Sequence, residues 1–385
     1  MQYRKFGNLD FEVSALSFGA MRLPIKGDET ENIDEEKAIK MIRHAIDNGV
    51  NYIDTAWVYH GGESEKLVGK ALQDGYRDKV KIATKFTWPW LEENLGLKLK
   101  NKEDREEYLN RQLERLQTDH IDFYLLHGLG QERWDSYKEE ADIIKWLQQI
   151  KKEGKINNYG FSFHDDFEGF KYIIDDYDGW DFCQIQYNYL DTEHQAGKKG
   201  LKYAAQHNIP VVVMEPLRGG QLAENLPDNV KNILNESDIN RSAADLALQW
   251  LWNQPEVTTV LSGMSNMKQV EENLESAANS GVGVLDDQEL EVINKLKKEF
   301  RGPIKCTQCN YCMPCPNDVE IPRVFQVYNN AHVFDEFEEN KEKYFEFDEE
   351  SRASACVSCG VCEDACPQNL EIISHMEEVE EYFEG

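Results

Sequence analysis

The chain has 385 residues, with 42 Lys and Arg against 72 Asp and Glu, a formal net charge of −30. Nucleic acids and anionic membranes bind clustered cations, so this charge argues against both as partners. Hydrophobic residues make up 41% of the chain, which is typical of a globular protein. No apolar run approaches the ~18 residues of a membrane-spanning helix. Because residues 1–24 lack the apolar core of a signal peptide, we expect a cytoplasmic protein.

Short β-branched runs alternate with amphipathic stretches through residues 1–280. The predicted strands are 13–19, 50–54, 80–85, 121–127, 156–162, 182–187, 209–214 and 257–262. The predicted helices are 35–48, 63–73, 103–117, 136–152, 167–175, 197–207, 242–252 and 267–278. Eight such units in about 260 residues match a closed (β/α)8 barrel of the TIM type. A doubly wound open sheet is the alternative, but no Gly-x-Gly-x-x-Gly follows the first strand, which favours the barrel.

Four polar residues fall at or just after the ends of three consecutive predicted strands: Asp54 and Tyr59, then Lys85, then His127. In a closed barrel the catalytic groups lie at the carboxyl ends of the strands. Each residue alone also has an ordinary structural interpretation, such as a helix cap or a core histidine. Their joint placement on one barrel face favours a catalytic role for the four residues.

These four side chains support acid–base catalysis. A tyrosine has an ordinary pKa of ~10, a nearby ammonium group favours the phenolate, and a carboxylate holds that ammonium in place. A histidine beside the phenol can orient a carbonyl oxygen. Tyr59 would then protonate the oxygen of a carbonyl group as hydride reaches its carbon, or accept the proton in the reverse direction.

Five segments follow one another in the order YRKFGNLDFEVSALSFGAMRLP, NYIDTAWVYHGGESEKLVGKAL, KIATKF, IDFYLLHG and VMEPLRGGQL. In these segments the chain resembles the aldo/keto reductase family over residues 1–280. The resemblance implies that Asp54, Tyr59, Lys85 and His127 form the catalytic tetrad. It also implies a nicotinamide cofactor, NADP(H) with NAD(H) as the alternative, extended across the barrel mouth.

The resemblance carries over only part of a nucleotide site. It places Ser162 and Gln184 on the nicotinamide amide, and Met214 where many relatives stack an aromatic ring. The resemblance implies that the segment LSGMSNMKQVEEN binds the adenine end of the nucleotide. The alternative interpretation of this segment is an ordinary capped helix. The implied contacts in that segment are Gly263, Ser265, Lys268, Gln269 and Asn273. Many relatives bind the 2′-phosphate of NADP with an arginine, and Gln269 stands in its place here. The sequence therefore favours NADP over NAD only weakly.

Eight of the nine cysteines lie in two groups after residue 305. The groups are Cys306, Cys309, Cys312 and Cys315, and Cys356, Cys359, Cys362 and Cys366. The second group matches the bacterial ferredoxin run C-x2-C-x2-C-x3-C-P, whose fourth cysteine ligates the other cluster, and the first group is one residue shorter. This predicts two [4Fe–4S] clusters, one on Cys306, Cys309, Cys312 and Cys366 and the other on Cys356, Cys359, Cys362 and Cys315. Disulfides and all-cysteine zinc sites are the weaker alternatives, and Cys183 is predicted to be a core residue.

The composition changes near residue 301, since residues 301–385 hold 19 acidic and 6 basic side chains, a net charge of −13. We therefore predict a barrel over 1–285, a helical linker over 286–301 and a small, mostly α-helical ferredoxin-like iron–sulfur domain over 302–385. The acidic stretch 335–350 is either a solvated face or a docking surface for a basic redox partner.

Three functions stay open at this point. The first is an NADP(H)-dependent oxidoreductase that acts on an aldehyde, a ketone or a sugar-like alcohol, with an iron–sulfur electron-transfer tail. The second is a ferredoxin-like electron-transfer or docking protein whose barrel binds a flavin or a nicotinamide, and the third is a regulatory module. Nicotinamide transfers two electrons as hydride whereas a cluster passes one, and no motif for an intermediate carrier is present. The intact tetrad favours the enzyme.

Overall fold

The computed structural model of the protein describes residues 1–88, 90–224, 226–300, 302–306, 312–366 and 368–385.

A small hairpin precedes the strands of the barrel. Strand β1 (Tyr3–Lys5) pairs antiparallel with β2 (Glu12–Ser14). Phe6, in the turn between them, lies 4.7 Å from Phe123 between ring centroids. The hairpin thereby contributes apolar surface to the interior of the barrel described next.

Within the described residues, eight parallel strands close into a barrel. They are β3 (Leu16–Gly19), β4 (Tyr52–Asp54), β5 (Lys81–Phe86), β6 (Ile121–Leu129), β7 (Ile156–Phe163), β8 (Phe182–Gln186), β9 (Val211–Met214) and β10 (Val257–Gly263). Their order around the barrel follows the chain, and β10 pairs with β3 to close the circle. The fold class predicted from strand–helix alternation is confirmed.

Helices occupy the segments that follow these strands. They are α1 (Glu35–Asp47), α2 (Ser64–Ala71), α3 (Trp90–Leu95), α4 (Lys102–Leu116), α5 (Gln131–Ala141), α6 (Ile143–Lys152), α7 (Phe167–Asp176), α8 (Gly197–Gln206), α9 (Asp228–Glu236), α10 (Ala243–Trp252) and α11 (Met267–Ala278). Side-chain caps begin several of them, with Asp34, Asn101 and Asp166 each accepting a hydrogen bond from a backbone N–H of the first turn. The caps explain why the predicted and observed starts of these helices differ by at most one residue.

Two predicted elements are divided in the structure. The predicted strand 13–19 splits, because Val13 pairs with Arg4 in the hairpin while β3 begins only at Leu16. The predicted helix 136–152 breaks at Asp142, whose φ of 43° is left-handed, so that α5 and α6 are separate helices. In both cases the hydrophobic pattern runs on across the break. The division comes from backbone conformation and from distant strand pairing, which periodicity does not register.

The barrel has an inner and an outer apolar layer. The inner layer fills the space inside the strands with Phe6, Val13, Tyr52, Ala83, Phe123, Leu125, Phe182, Val212 and Leu261. The outer layer lies between strands and helices, where a helix such as α1 buries Ala38, Met41 and Ile42 on one face. Alternate residues of a strand point to opposite layers. The inward polar residues near the carboxyl ends of the strands are therefore held on rigid backbone.

The described chain divides into two compact units. The first comprises Met1–Gly219 and Ala244–Leu285, and the second comprises Gly220–Ala243 and Asp286–Gly385. The domain boundaries predicted at 285 and 301 stay predictions. The segment between β9 and α10 belongs to the second unit, although it lies within the barrel part of the sequence. Within that unit, Asn229 donates a hydrogen bond to Glu299 at 2.7 Å.

The second unit is helical in its described C-terminal part. Its helices are α12 (Asp287–Glu299), α13 (Ile321–Phe334), α14 (Phe337–Phe345), α15 (Val361–Ala365) and α16 (Ile372–Phe383). Asp286 and Glu289 form a reciprocal capping box that begins α12. A separate apolar core joins α13, α14 and α16 through side chains such as Phe325, Tyr344 and Phe383. Among the described residues, no helix combines the length and the apolar character that crossing a membrane requires.

Candidate active site

The structure brings the four predicted catalytic side chains together at the carboxyl ends of β4, β5 and β6. Asp54 ends β4, Lys85 lies in β5 and His127 lies in β6. Tyr59 begins a 3-10 turn, Tyr59–Gly62, that follows β4. Strand alternation points Asp54 and Lys85 into the barrel, where their side chains are each only 1% exposed.

Lys85 is the centre of this group. Its Nζ donates to Asp54 Oδ1 at 2.6 Å and to the carbonyl oxygen of Thr55 at 2.8 Å. The same Nζ lies 4.7 Å from the ring centroid of Tyr59. Burial by itself would lower the pKa of Lys85, but the charge of Asp54 and the interactions with Tyr59 outweigh it, so the pKa is raised. Lys85 is therefore a fixed cation at neutral pH.

Tyr59 is a protonated phenol in this environment. Burial raises the pKa of Tyr59, and the opposing effect of Lys85 is smaller. The sequence predicted that the lysine would favour the phenolate; Lys85 does act in that direction, but desolvation outweighs it. At neutral pH the side chain is thus suited to give up a proton rather than to receive one.

His127 faces Tyr59 edge-on. Their ring centroids are 6.2 Å apart at an interplanar angle of 82°. Its Nδ1 lies 2.9 Å from Thr87 Oγ1. Burial and the nearby charge of Lys85 lower the pKa of His127 well below the ordinary value, so the imidazole is neutral. Thr87 was not predicted from the sequence, because its position two residues after Lys85 carries no motif.

The turn that carries Tyr59 is held by another histidine. His60 has a left-handed φ of 53°, which is uncommon for a residue other than glycine. Its Nε2 accepts a hydrogen bond from the backbone N–H of Leu23 at 3.0 Å, and its Nδ1 lies 2.6 Å from the carbonyl oxygen of Thr30. Because Nε2 accepts, the proton lies on Nδ1 and is donated to Thr30. The segment after β3 is thus tied to the turn.

Three residues predicted to contact the nicotinamide lie on β7, β8 and β9. Ser162 and Gln184 are partners in the strand register and are each 1% exposed. Ser162 Oγ accepts from the backbone N–H of Gly128 at 2.8 Å, and Gln184 Nε2 lies 3.4 Å from the sulfur of half-buried Met214. Gln184 Oε1 is buried and has no hydrogen-bond partner among the described residues. A buried amide oxygen without a partner fits a ligand that brings an N–H group, as a carboxamide does.

The segment predicted to hold the adenine end surrounds the start of α11. Asn266 caps this helix, and Gln269 Oε1 accepts from the backbone N–H of Ser265 at 2.8 Å. Lys268 is exposed and lies 3.6 Å from Glu272. Asn273 is buried and donates to Ser262 at 3.1 Å, while Gly263 is exposed at the end of β10. The N-terminus of this helix presents donors and a positive end that favour phosphate.

Two charged pairs that were not predicted from the sequence lie on the segments that follow the strands. Arg22, after β3, lies 3.6 Å from Glu215, after β9. Arg218 Nε lies 3.3 Å from the buried carboxylate of Asp191. Glu215 and Arg218 stand in the quoted segment VMEPLRGGQL, which was the available signal. Their partners are distant in the chain, so only the fold could identify them.

The predicted cluster ligands lie on the second unit, apart from Cys309, which is outside the described residues. Cys362 is buried in the core of that unit. Five further cysteines pack against the same core: Cys306, Cys312, Cys315, Cys356 and Cys366. Cys359 is exposed. Among the described residues, no group of three or more His, Cys, Asp and Glu side chains is arranged to hold a metal ion. The donor chemistry, thiols gathered on one apolar core, fits iron–sulfur ligation.

Comparisons with known proteins agree with this division of the chain. The sequence model of the aldo/keto reductase family matches residues 15–298, and that of a 4Fe-4S dicluster domain matches residues 305–371. The chain belongs to the aldo/keto reductase family. This aldo/keto reductase is an oxidoreductase with a C-terminal 4Fe-4S dicluster domain, and the resemblance stated from the sequence is confirmed for both parts.

Similar proteins cover the barrel of this aldo/keto reductase. An uncharacterized oxidoreductase of Bacillus subtilis is 28% identical over 302 residues, covering 72% of this chain and 91% of its own. The NADH-specific methylglyoxal reductase of Escherichia coli is 27% identical over 308 residues, covering 70% of this chain and 91% of its own.

Solved structures agree with the fold. The holo form of an aldo-keto reductase from Bacillus halodurans has a TM-score of 0.60 and 29% identity, covering 77% of this chain and 96% of its own. An aldo-keto reductase from Klebsiella pneumoniae in complex with NADPH has a TM-score of 0.59 and 25% identity, with the same coverage of both chains.

Proposed function

We propose that this aldo/keto reductase interconverts an aldehyde or ketone and its alcohol with NADP(H), and that Tyr59 is its general acid. The observation that carries the proposal is the position of Lys85, which lies 2.6 Å from Asp54 and 4.7 Å from the ring of Tyr59. A proton donor that must become an anion during the reaction needs a fixed cation beside it. Lys85 is such a cation, and Asp54 keeps it in place.

The chain's own residues would act as follows. Tyr59 gives its phenolic proton to the carbonyl oxygen, and Lys85 stabilises the phenolate that remains. His127 is neutral. In the tautomer in which Thr87 donates to Nδ1, the proton of His127 lies on Nε2 and can be donated to the same carbonyl oxygen. In alcohol oxidation the proton returns to Tyr59. When bound, the nicotinamide supplies the hydride to the carbonyl carbon.

For the nicotinamide end we propose Ser162 and Gln184 as hydrogen-bonding partners, with Met214 packing beside them. The unpartnered Oε1 of Gln184 supports this assignment, because a carboxamide N–H would satisfy it. We propose the adenine end at Gly263, Ser265, Lys268, Gln269 and Asn273.

NADP(H) is proposed over NAD(H), which remains the alternative. The Klebsiella pneumoniae relative holds NADPH, whereas the Escherichia coli relative is named as NADH-specific. Lys268 is the cation of the adenine segment, so the Kd for NADPH should be lower than the Kd for NADH, measured by quenching of protein fluorescence.

For the second unit we propose two [4Fe–4S] clusters on the eight cysteines, with the crosswise ligand sets given by the ferredoxin pattern. The dicluster match over residues 305–371 and the thiols around one apolar core support this. Anaerobically reconstituted protein should then contain about eight iron and eight sulfide per chain. Zinc in stoichiometric amount with little iron would contradict the assignment. We propose a cytoplasmic location, where cysteine thiols stay reduced and can hold clusters. We propose a basic protein redox partner for the acidic stretch 335–350.

The deciding experiment uses the cluster-loaded full chain and a panel of aldehydes and ketones with NADPH. Oxidation of NADPH that depends on the carbonyl compound is expected, and Tyr59→Phe should slow it by about 10²- to 10⁴-fold. NADPH affinity should be retained in that variant, since Tyr59 is assigned to proton transfer. A tightly bound flavin and no affinity for either nicotinamide would instead favour the electron-transfer function.

A further inference from the structure

A buried carboxylate lies beside the catalytic group without being part of it. Glu65, in the first turn of α2, has no exposed surface. Its Oε1 accepts from Thr84 Oγ1 at 2.6 Å and from Gln112 Nε2 at 2.8 Å, and its Oε2 accepts from Arg115 Nε at 2.8 Å. We call Glu65, Thr84, Gln112 and Arg115 the Glu65 network. A buried charge with this many partners fixes the position of each of them.

The network reaches the strand that carries Lys85. Thr84 is the residue before Lys85 in β5, and alternation turns its side chain outward while Lys85 points into the barrel. Gln112 Nε2 also donates to the carbonyl oxygen of Lys85 at 3.1 Å. Tyr124 donates to Gln112 Oε1 at 2.8 Å, so the orientation of the Gln112 amide is set on both sides. The backbone of Lys85 is thus held from the helix side.

The same network reaches the turn that carries Tyr59. Arg115 Nη2 donates to the carbonyl oxygen of Gly62, the last residue of the Tyr59–Gly62 turn. The guanidinium of Arg115 also lies 4.1 Å from the ring centroid of Trp57, two residues before Tyr59. The turn contains two consecutive left-handed residues, His60 and Gly61, and such a conformation persists only when its surroundings determine it.

Close helix packing makes this arrangement possible. A Cβ atom on Gly69 of α2 would lie 2.5 Å from the carbonyl oxygen of Arg115 in α4. Only glycine permits this approach of the two helices. The approach brings Arg115 to Glu65, one turn before Gly69 on α2. The α2–α4 contact is therefore built around the network.

We propose that Glu65 is a positioning residue for proton transfer, which through Gln112 and Arg115 sets Tyr59 relative to Lys85. This rests on the proposed function of Tyr59 as general acid. Lys85 lowers the free energy of the phenolate only from a short distance, and proton transfer is sensitive to displacements of about 1 Å. Loss of the network should weaken the influence of Lys85 on Tyr59 and slow the chemical step, while the binding of the nucleotide is unaffected.

The test compares Glu65→Gln with Glu63→Gln, the same substitution on the half-exposed carboxylate two residues earlier, whose ion-pair partner among the described residues is Lys66. In Glu65→Gln we expect kcat for carbonyl reduction to fall about 10- to 100-fold, with the Kd for NADPH within about twofold of the unmodified protein. The pH above which reduction slows should move upward, because Tyr59 without close Lys85 holds its proton more tightly. Glu63→Gln should match the unmodified protein in all three measurements.

A folded Glu65→Gln protein with unchanged kcat and pH profile overturns the proposal. A purely structural role would lower thermal stability without moving the pH profile. If Glu65→Gln does not fold, Arg115→Lys gives the same readouts, because a lysine keeps the charge but lacks the guanidinium group that donates to both Glu65 and Gly62. An unchanged pH profile in Arg115→Lys overturns the proposal equally. Failure of the proposed function has a different signature, since either the unmodified protein would not reduce carbonyl compounds with NADPH or Tyr59→Phe would retain that activity.

Discussion

The Nζ of Lys85 lies 2.6 Å from Oδ1 of Asp54, with both side chains 1% exposed. Removing one partner of a buried pair leaves the other charge without compensation. Asp54→Asn should therefore lower the free energy of unfolding by about 3–5 kcal/mol, measured by denaturant titration under anaerobic conditions. The control is Asp47→Asn, which breaks a surface ion pair with Lys79 and should lower the free energy of unfolding much less than Asp54→Asn does. Equal losses in both variants would contradict this prediction.

His127 should titrate well below the ordinary range of histidine. Its folded pKa is lowered by burial and by Lys85, whereas the unfolded chain takes up the proton near pH ~6.5. Its contribution to stability is thus present above about pH 6.5 and is lost as the pH falls towards the folded pKa. Titration of ¹³C-labelled histidines by NMR should show a midpoint for His127 far below the ordinary value of about 6.5. His127→Gln should reduce the loss of stability that the wild-type protein shows on acidification.

Gln184 should contribute to nicotinamide binding through its buried Oε1, which has no hydrogen-bond partner among the described residues. A hydrogen bond of this kind contributes about 1 kcal/mol, so Gln184→Ala should raise the Kd for NADPH about fivefold. Exposed Gln148, on α6, supplies the control Gln148→Ala, for which no change is expected. Fluorescence titration measures both values. An unchanged Kd in Gln184→Ala would remove this residue from the proposed site.

The crosswise ligand sets predict which cysteine variants share a phenotype. Cys306→Ser and Cys366→Ser should disturb the same cluster, and Cys315→Ser and Cys356→Ser the other. Electron paramagnetic resonance of the reduced proteins distinguishes the two cases, because each pair should lose the same signal. Cys183→Ser changes a fully buried cysteine of β8 and should leave both signals intact. Loss of different signals by Cys306→Ser and Cys366→Ser would exclude the crossing.

Local patterns were sufficient to predict the barrel and the neighbourhood of its polar residues. Strand–helix alternation gives the order of the strands, and in a parallel barrel that order places the ends of β4, β5 and β6 side by side. Asp54, Lys85 and His127 therefore could be assigned to one face from the sequence. Their catalytic roles, like those of the nucleotide contacts, stay predictions. The spacing of the cysteines likewise predicted the dicluster domain, because short-range ligand spacing is a local property.

What the sequence could not decide depends on contacts between distant residues. The protonation of Tyr59 follows from a balance between burial and Lys85 that only packing determines. The Glu65 network joins α2, β5 and α4 through hydrogen bonds that span up to 50 residues. The grouping of Gly220–Ala243 with the C-terminal unit is of the same kind. The acidic, cysteine-rich sequence alone thus determined which fold forms and which groups it carries. Tertiary packing decided how those groups are charged and held, because desolvation and hydrogen bonding act between neighbours in space.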